Sequence, residues 1–409
     1  MRLPTGSQAM KRVAVLGGGI MGCCTALSLA RRGASVTLFE QHPRIMGEAS
    51  RWNEGKIHLG YLYSGSRALE TAKKVLTGGL RFRPIVEQLL ETSIAPWITP
   101  QADNYLVHKN SVVGPDAVWD YCARVTDLVL AHPDVGDYLR GISRGDLRRL
   151  AASDIDFDYN PELICQAIRV PEYSIDTNLF ADALVRRVLA EPSITVLTGQ
   201  VVQAVCTEDE KLNRYGVQTD QGPFTGFDVV INALWAGRPS IDKTLMGRTD
   251  VSMHHRYRVS AFVECPPDTP PHASAVICAG PFGDIKHYGN GRYYVSWYPA
   301  GLLAEGRDAQ PPKTPQLSVE GADAVIAKIK GGLKDILPGA ARILQQAERA
   351  EVQGGWVYAQ ATGSLEDPKS NLHSRDKLGV LRHGNYISVD TGKFSVAPYL
   401  AEAIAEALI

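Results

Sequence analysis

The sequence lacks the long apolar runs, the paired cysteines and the charge excess that mark several classes of protein. No apolar run approaches the ~20 residues that cross a bilayer, so we predict no integral membrane segment. The formal net charge is −1, which provides no electrostatic attraction for nucleic acid or anionic membranes. The seven cysteines form no CxxC pair and no metal-like spacing, so we expect neither a disulfide framework nor a bound metal.

The remaining composition is that of an ordinary globular protein. The chain has 409 residues, of which 44% are hydrophobic and 21% charged, and this length suits two domains. The first ten residues lack the apolar core of a signal peptide. Together with the unpaired cysteines, this predicts a reduced, cytoplasmic location.

The stretch from Val13 to Glu40 has the pattern of strand, glycine turn, helix and second strand. Gly17 permits a tight turn, Gly19 lets the backbone approach a pyrophosphate, and Gly22 lets the helix pack on the sheet. The helix N-terminus then offers N–H groups and a positive dipole end to phosphates. Glu40 closes the second strand, where an acid accepts hydrogen bonds from a ribose 2′-OH. The stretch predicts a dinucleotide site that disfavours NADP, because a carboxylate repels a 2′-phosphate.

Three later segments have features of ligand-binding loops. Residues 42–64 are too polar and glycine-rich for a strand, and a loop of this length in a compact domain is usually functional. The apolar strand 227–232 runs into a turn at 233–237, an ending that brings backbone close to a ligand. Residues 390–398 form a turn that opens the last helix, with Pro398 suited to the first helical turn. Residues 252–298, in contrast, alternate like antiparallel strands and are rich in aromatics and arginines.

With these segments in view, the chain resembles the D-amino-acid-oxidase-like superfamily of FAD-dependent oxidoreductases. The resemblance rests on the 17–40 fingerprint, the 49–60 loop, the 229–237 strand and turn, and the Thr391-Gly392-Lys393 turn. It implies an α/β fold: an FAD-binding Rossmann-like domain of the glutathione-reductase type, with an interleaved α+β substrate domain built on an antiparallel sheet. The FAD-binding domain would comprise 10–93, 165–247 and 350–409, and the substrate domain 94–164 and 248–349.

The resemblance also implies which residues contact FAD. The glycine turn and Glu40 would hold the pyrophosphate and ribose, and Lys393 at the flavin's pyrimidine end would stabilise the negative charge of reduced flavin. A surface lysine after a turn is the alternative for Lys393. The candidate cofactor-binding residues are Gly17, Gly19, Ile20, Met21, Gly22, Glu40, Gln41, Ser50, Arg51, Asn53, Gly55, Val202, Ala233, Trp235, Gly237, Gly392, Lys393 and Phe394.

His58 and Lys393 are the candidate catalytic residues. The loop around His58 is similar to that of L-2-hydroxyglutarate dehydrogenases, in which a histidine lies beside the flavin. Three interpretations stay open: a general base, for which a near-neutral pKa is suited, a covalent attachment point for the flavin, or a hydrogen-bonded structural histidine.

The substrate site is less well specified by the sequence. Families of this kind bind a substrate carboxylate with arginine, whose guanidinium fork forms two parallel bonds. The candidate arginines are Arg256, Arg258, Arg292 and Arg382, and the candidate aromatic lining is Tyr61, Tyr63, Tyr288, Tyr294 and Trp297. Aromatic residues on an antiparallel sheet are also common in protein cores.

The sequence therefore predicts an FAD-dependent oxidoreductase that takes hydride from a carbon next to an amine, with a small-molecule substrate. Its electron acceptor would be O2 or another compound. One alternative is a 2-hydroxy-acid dehydrogenase or oxidase with His58 as base. Another is a flavin-binding protein without catalysis. A purely nicotinamide-dependent enzyme is disfavoured by the 42–64 loop and the Gly392-Lys393 turn, which FAD needs and NAD does not.

Overall fold

The structure is a computed structural model that describes residues 10–66, 68–209, 214–247, 252–361, 363 and 377–409. Residues 1–9, for which the sequence predicts no signal peptide, lie outside the described residues. So do 248–251 and 364–376, which belong to the predicted substrate and FAD-binding segments. No helix within the described ranges is long and apolar enough to cross a membrane.

The described residues form twenty strands and ten α-helices. The strands are β1 Arg12–Leu16, β2 Ser35–Phe39, β3 Lys56–Ile57, β4 Asn104–His108, β5 Arg148–Leu150, β6 Ile164–Arg169, β7 Tyr173–Ser174, β8 Ile194–Leu197, β9 Val202–Asp209, β10 Arg214–Thr219, β11 Gly222–Phe227, β12 Val229–Asn232, β13 His254–Glu264, β14 Ala275–Cys278, β15 Gly283–Gly289, β16 Arg292–Trp297, β17 Leu302–Gly306, β18 Arg349–Ala359, β19 Gly379–His383 and β20 Tyr386–Asp390. The helices are α1 Ile20–Ala30, α2 Glu70–Leu80, α3 Phe82–Leu90, α4 Pro115–Ala131, α5 Thr177–Leu189, α6 Arg238–Met246, α7 Tyr298–Gly301, α8 Val319–Leu333, α9 Pro338–Gln346 and α10 Ala397–Leu408.

One sheet of the described chain has six strands in the order β19–β20–β12–β1–β2–β8. Its neighbours are parallel except for β19, which runs antiparallel to β20. Val13 of β1 lies between Val36 of β2 and Val229 of β12, and all three are buried. Strands covered on both faces read as apolar runs, which explains why the sequence predicts them well. The carboxyl ends of the parallel strands meet at one edge, where open α/β sheets bind ligands.

Helix α1 covers this sheet and is buried along its whole length. Its close approach depends on Gly22, where a Cβ would lie 1.8 Å from the carbonyl oxygen of Gly17. Helix α10 packs against α1, and Arg32 forms an ion pair with Glu402 between them. The glycine pattern and the last helix thus belong to one packed unit.

The second large sheet has nine described strands in the order β17–β13–β16–β15–β14–β4–β6–β5, with β18 also paired to β13. Residues 254–264 pair with 349–359 along their full length. Helices α8 and α9 pack on this sheet through buried residues such as Ile329 and Ile343. This sheet is mostly antiparallel, although β4 and β14 are parallel.

Strand pairing moves two segments relative to the predicted domain division. β6 pairs with β4 and β5, and β18 pairs with β13, so both belong to the nine-stranded sheet. The sequence-based division assigned nearly all of these residues to the FAD-binding segments. Short apolar strands carry no signal for which sheet they join, because that choice depends on distant partners.

Two helices have bounds that differ from those the sequence pattern predicts. The pattern predicts one helix over about 68–90, but the structure splits it at Arg81 into α2 and α3, because Pro84 in the first turn of α3 cannot donate a backbone hydrogen bond. The pattern also predicts a helix over 321–337, but in the structure this helix starts earlier, where the Ser318 side chain accepts from the Gly321 N–H, and ends at Leu333.

We expect His272 to make stability depend on pH. The side chain is buried beside Phe157, and its Nδ1 donates to the carbonyl of Ala273. Burial lowers the pKa of His272 from 6.5 to about 4. Between pH 6.5 and about 4 the unfolded chain binds a proton that the folded chain does not. The free energy of unfolding therefore falls with falling pH, by about 3 kcal/mol in total.

The measurement is urea unfolding of the wild-type protein and of His272→Leu at several pH values from 7 to 4. As the pH falls, the unfolding free energy of the wild type should decrease more than that of His272→Leu. Parallel pH curves for the two proteins would contradict the assignment.

Candidate functional site

A cavity of about 500 Å³ lies at the carboxyl edge of the six-stranded sheet. One wall consists of residues that directly follow parallel strands, namely Gly17, Glu40, Ala233 and Thr391. The other wall comes from the nine-stranded sheet and includes Arg258, Ser260, Tyr294 and Gly355. The cavity thus lies between the two sheets, at the edge that the fold favours for ligands.

The turn after β1 requires glycine at its first position. Gly17 has a φ of +100°, and its N–H donates to the Phe39 carbonyl oxygen over 2.8 Å. A Cβ at this position would lie 2.7 Å from the carbonyl oxygen of Ala233. A residue with a side chain would therefore not fit at position 17, where β1, β2 and β12 converge.

Glu40 is fixed at the end of β2 by two backbone donors. One carboxylate oxygen accepts from the Gly18 N–H and the other from the His42 N–H, each over 2.8 Å. Glu40 also lines the cavity, and these two hydrogen bonds fix the orientation of its carboxylate there.

The N-terminus of α1 opens directly onto the cavity. Gly19, Ile20 and Met21 line it, and Ser50 reaches over from the following loop to accept from the Ile20 N–H over 2.9 Å. A Cβ on Gly19 would lie 2.9 Å from the Ser50 Oγ. This cradle suits the phosphates of a dinucleotide, because backbone can approach them at a helix N-terminus.

The loop after β2 is held by side-chain bonds. Arg51 pairs with Asp182 on α5 over 2.6 Å and donates to the Met46 carbonyl. Asn53 accepts from the Gly55 N–H over 2.8 Å. Arg51 and Gly55 therefore shape the loop and are not on the cavity lining, whereas Asn53 is.

Trp235 is the bulkiest residue of the turn at 233–237. Its φ is +53°, and its indole N–H donates to the Trp356 carbonyl over 2.7 Å. This bond turns the bulky ring toward β18, and Trp235 and Trp356 both line the cavity.

The predicted cofactor residues are mostly brought together. Those on the cavity lining are Gly17, Gly19, Ile20, Met21, Glu40, Gln41, Ser50, Asn53, Val202, Ala233, Trp235, Gly237, Gly392, Lys393 and Phe394. Gly22 is the remaining exception, because it serves the packing of α1.

The far part of the cavity carries charges of both signs. Glu54, Arg258 and Lys393 line it, together with His58 and Tyr294. Burial opposes the charged form of Glu54, but Lys393 and nearby lysines outweigh this and lower its pKa. Arg258 lies with its guanidinium 4.1 Å from the centre of the Tyr298 ring. This region can pair with a ligand that has both an anionic and a cationic group.

A buried ionic cluster lies behind this region. Lys286 and Lys56 both contact Asp103 over 2.6 Å, and Tyr105 contacts Lys56 over 2.9 Å. All four side chains are buried, and Lys56 also reaches the cavity lining. Burial lowers the pKa of Lys286, whereas for Asp103 the two lysines outweigh burial and lower its pKa.

Sequence reasoning missed this cluster. Asp103 lies 47 residues from Lys56 and 183 from Lys286, so no local motif connects them. The available signal was a lysine within a buried strand, since lysine is almost never fully buried unless it is paired.

Four predicted substrate residues are not on the cavity lining. Tyr61 is buried and its hydroxyl bonds to Thr126, while Tyr288 is buried in the sheet. Arg256 donates to the Tyr298 hydroxyl over 3.0 Å. Arg382 is exposed on β19, the edge strand of the six-stranded sheet. Of the residues predicted to bind substrate, Arg258 and Tyr294 lie on the lining.

Three other candidates also lie outside the cavity lining. Arg292 pairs with Asp176 at the start of α5 over 2.9 Å, outside the lining. Tyr63 lies 5.9 Å from His58 between ring centres and 5.6 Å from the Lys393 Nζ. Trp297 packs against Phe282.

A family model described as FAD dependent oxidoreductase matches residues 12–406. The chain belongs to this family. It is therefore an FAD-dependent oxidoreductase with FAD as its cofactor, as predicted from the resemblance. The glycine cradle and Glu40 on the cavity lining fit a dinucleotide of this kind.

Similar curated proteins include the bifunctional tRNA 5-methylaminomethyl-2-thiouridine biosynthesis protein MnmC of Pseudomonas aeruginosa (strain UCBPP-PA14). It is 29% identical over 201 residues, which is 46% of this chain and 25% of the relative. The match thus spans about a quarter of that relative's length.

Solved structures show the same fold. Glycine oxidase from Geobacillus kaustophilus has a TM-score of 0.68 at 14% identity and covers 97% of this chain and 94% of its own. The L-alpha-glycerophosphate oxidase of Mycoplasma pneumoniae, solved with FAD bound, has a TM-score of 0.62 at 16% identity and covers 97% and 94%. The predicted α/β fold with a Rossmann-like sheet is confirmed.

Proposed function

We propose that this FAD-dependent oxidoreductase oxidises the C–N bond of a small amine that carries a carboxylate, such as an amino acid. The observation that carries the proposal is the single cavity that joins the glycine cradle to a region with Glu54, Arg258 and Lys393. Such a region complements a zwitterion better than a neutral or purely anionic substrate. FAD, when bound, accepts a hydride at N5 from the carbon next to the nitrogen.

The residues on the first wall would hold the cofactor. The N–H groups at the start of α1 would face the pyrophosphate, and Glu40 would accept from the ribose. Lys393 follows a turn that leads into α10, and its ammonium would stabilise negative charge at the flavin's pyrimidine end.

Residues in the far part of the cavity would bind the substrate. Arg258 would hold the carboxylate, and Glu54 would face the cationic amine. The substrate must lose the ammonium proton before hydride transfer, because the nitrogen lone pair drives that step. His58 lies at the same part of the cavity and would take this proton.

A second candidate function is the oxidation of a 2-hydroxy acid. The observation that favours it is the position of His58 on the cavity lining, where a base could remove the hydroxyl proton. The carboxylate of such a substrate would use Arg258 in the same way.

A set of three compounds with one carbon skeleton decides between the two functions. The holoenzyme is supplied with a 2-amino acid, its N-methyl form or the matching 2-hydroxy acid, and 2-oxo acid and released amine are measured. We expect oxo acid together with amine release from the nitrogen compounds. Product from the hydroxy acid alone would replace the first proposal by the second.

Arg258→Met should weaken carboxylate binding. A charge-assisted bidentate contact is worth roughly 1.5–3 kcal/mol, so KM should rise about 10- to 100-fold with little change in bound FAD. The matched control is Arg256→Met, two residues along the same strand and outside the lining. Similar KM changes for both variants would argue against a specific contact at Arg258.

The electron acceptor and the cellular location remain expectations from the sequence. We propose O2 or another compound as acceptor, and the cytoplasmic location stays a prediction.

A further inference from the structure

The backbone around His58 is held by side chains from distant parts of the chain. The Ile57 carbonyl accepts from the Tyr138 hydroxyl over 2.9 Å, and the Gly60 carbonyl accepts from the Tyr121 hydroxyl over 3.0 Å. A Cβ at Gly79 of α2 would lie 2.0 Å from the His58 carbonyl oxygen. The loop is therefore fixed on several sides, although only two of its residues belong to a strand.

One carboxylate dominates these contacts. Glu172 Oε1 accepts from the Leu59 N–H over 2.6 Å and from the Gly60 N–H over 3.0 Å. Two successive N–H groups converge on one oxygen because Gly60 adopts a φ of +114°, and such backbone concavities bind anions. A side chain at position 60 would also meet Ala72 at 2.5 Å.

The other carboxylate oxygen belongs to the buried ionic cluster. Glu172 Oε2 accepts from the Tyr105 hydroxyl over 2.6 Å and lies 3.6 Å from the Lys56 ammonium. Burial opposes the charged form of Lys56, but Asp103 and Glu172 outweigh it and raise the pKa of Lys56. Glu172 itself is fully buried, so it is a charge whose desolvation must be offset by these partners.

We infer that Glu172 is a positioning residue for His58, which it aims at the cavity through the Leu59 and Gly60 amides. This inference rests on the proposed role of His58. Glu172 is absent from the cavity lining, so it acts on the reaction through the residues that it holds. A misplacement of about 1 Å in a reacting group costs up to 10²-fold in rate, so a loosened loop should slow the enzyme measurably.

The test is a double-mutant cycle on the rate at which substrate reduces the bound FAD. Glu172→Gln keeps an oxygen for the two amides but removes the charge, and it should slow reduction about 10- to 100-fold with full FAD content. In a His58→Ala background, Glu172→Gln should not lower the rate of FAD reduction any further, because its effect passes through His58. A wild-type rate in Glu172→Gln, or losses that multiply in the double variant, would overturn the inference.

The matched control is Asp176→Asn, four residues further along the chain. Asp176 is also buried, accepts from two backbone N–H groups and pairs with Arg292, but it caps α5 and does not line the cavity. We expect it to lower stability without slowing reduction. If Glu172→Gln does not fold, Tyr105→Phe removes one bond to the same carboxylate. A wild-type rate in that variant would overturn the inference.

An NMR readout separates this inference from the proposed function. The ring of His58, assigned in ¹³C-histidine-labelled holoenzyme by its loss in His58→Ala, should shift in Glu172→Gln and not in Asp176→Asn. If His58→Ala reduces FAD at the wild-type rate, the proposed role of His58 fails and the NMR signal alone decides the inference. An unshifted His58 signal in Glu172→Gln would overturn it.

Discussion

Gly19→Val is expected to give a folded protein that binds no FAD. Gly19 precedes α1 at the cavity lining, and even a Cβ there would lie 2.9 Å from the Ser50 Oγ. The two further methyl groups of valine would project into the space where backbone must approach the pyrophosphate. The loss should appear as missing absorbance near 450 nm in protein purified with added FAD.

Gly114→Val is the matched control for this experiment. Gly114 also immediately precedes a helix, α4, with a similar φ of −66° against −77° for Gly19. A Cβ at Gly114 would meet nothing within 4 Å. This variant should keep its FAD, and full FAD content in Gly19→Val would show that the cofactor does not lie against this turn.

His58→Ala should slow the reduction of FAD by about 10² to 10⁴ at neutral pH, the usual contribution of a general base. The FAD content should stay unchanged, because the residues of the glycine cradle are untouched. The measurement is anaerobic stopped-flow reduction at saturating substrate. His287→Ala is the control, since this histidine stacks on Tyr293 and does not line the cavity.

The pH dependence of this loss identifies the proton that His58 takes. An amine that is already neutral needs no base, so with an amine substrate the deficit should shrink as the pH rises above the substrate's own pKa. A hydroxyl stays protonated throughout, so with a hydroxy acid the deficit should persist. A deficit below about threefold at every pH would leave His58 with a structural role only.

Much of the cofactor side could be predicted from sequence because its contacts are local. The spacing of Gly17, Gly19 and Gly22 encodes a turn and a helix that contact each other within six residues. Glu40 ends the strand that must follow, so its place beside Gly18 is set by one βαβ unit. Such units form the same geometry whatever surrounds them.

The substrate side could not be predicted to the same extent, because its contacts depend on which strands meet. Arg256 and Arg258 differ by two positions on one strand and point to the same face, yet only Arg258 lines the cavity. Glu172 reaches Leu59 across 113 residues of sequence. Tyr61 resembles a lining aromatic by type, but its hydroxyl is satisfied by Thr126 within the core.

The measurement that tests the central claim most directly is the visible spectrum of the holoenzyme before and after anaerobic addition of candidate substrates. The compounds are amino acids, their N-methyl forms and 2-hydroxy acids, added one class at a time. We predict a band near 450 nm that amino acids or N-methyl amino acids bleach. In Arg258→Met, the same bleaching should require a much higher substrate concentration. Bound FAD that no nitrogen compound bleaches would contradict the proposed C–N oxidation.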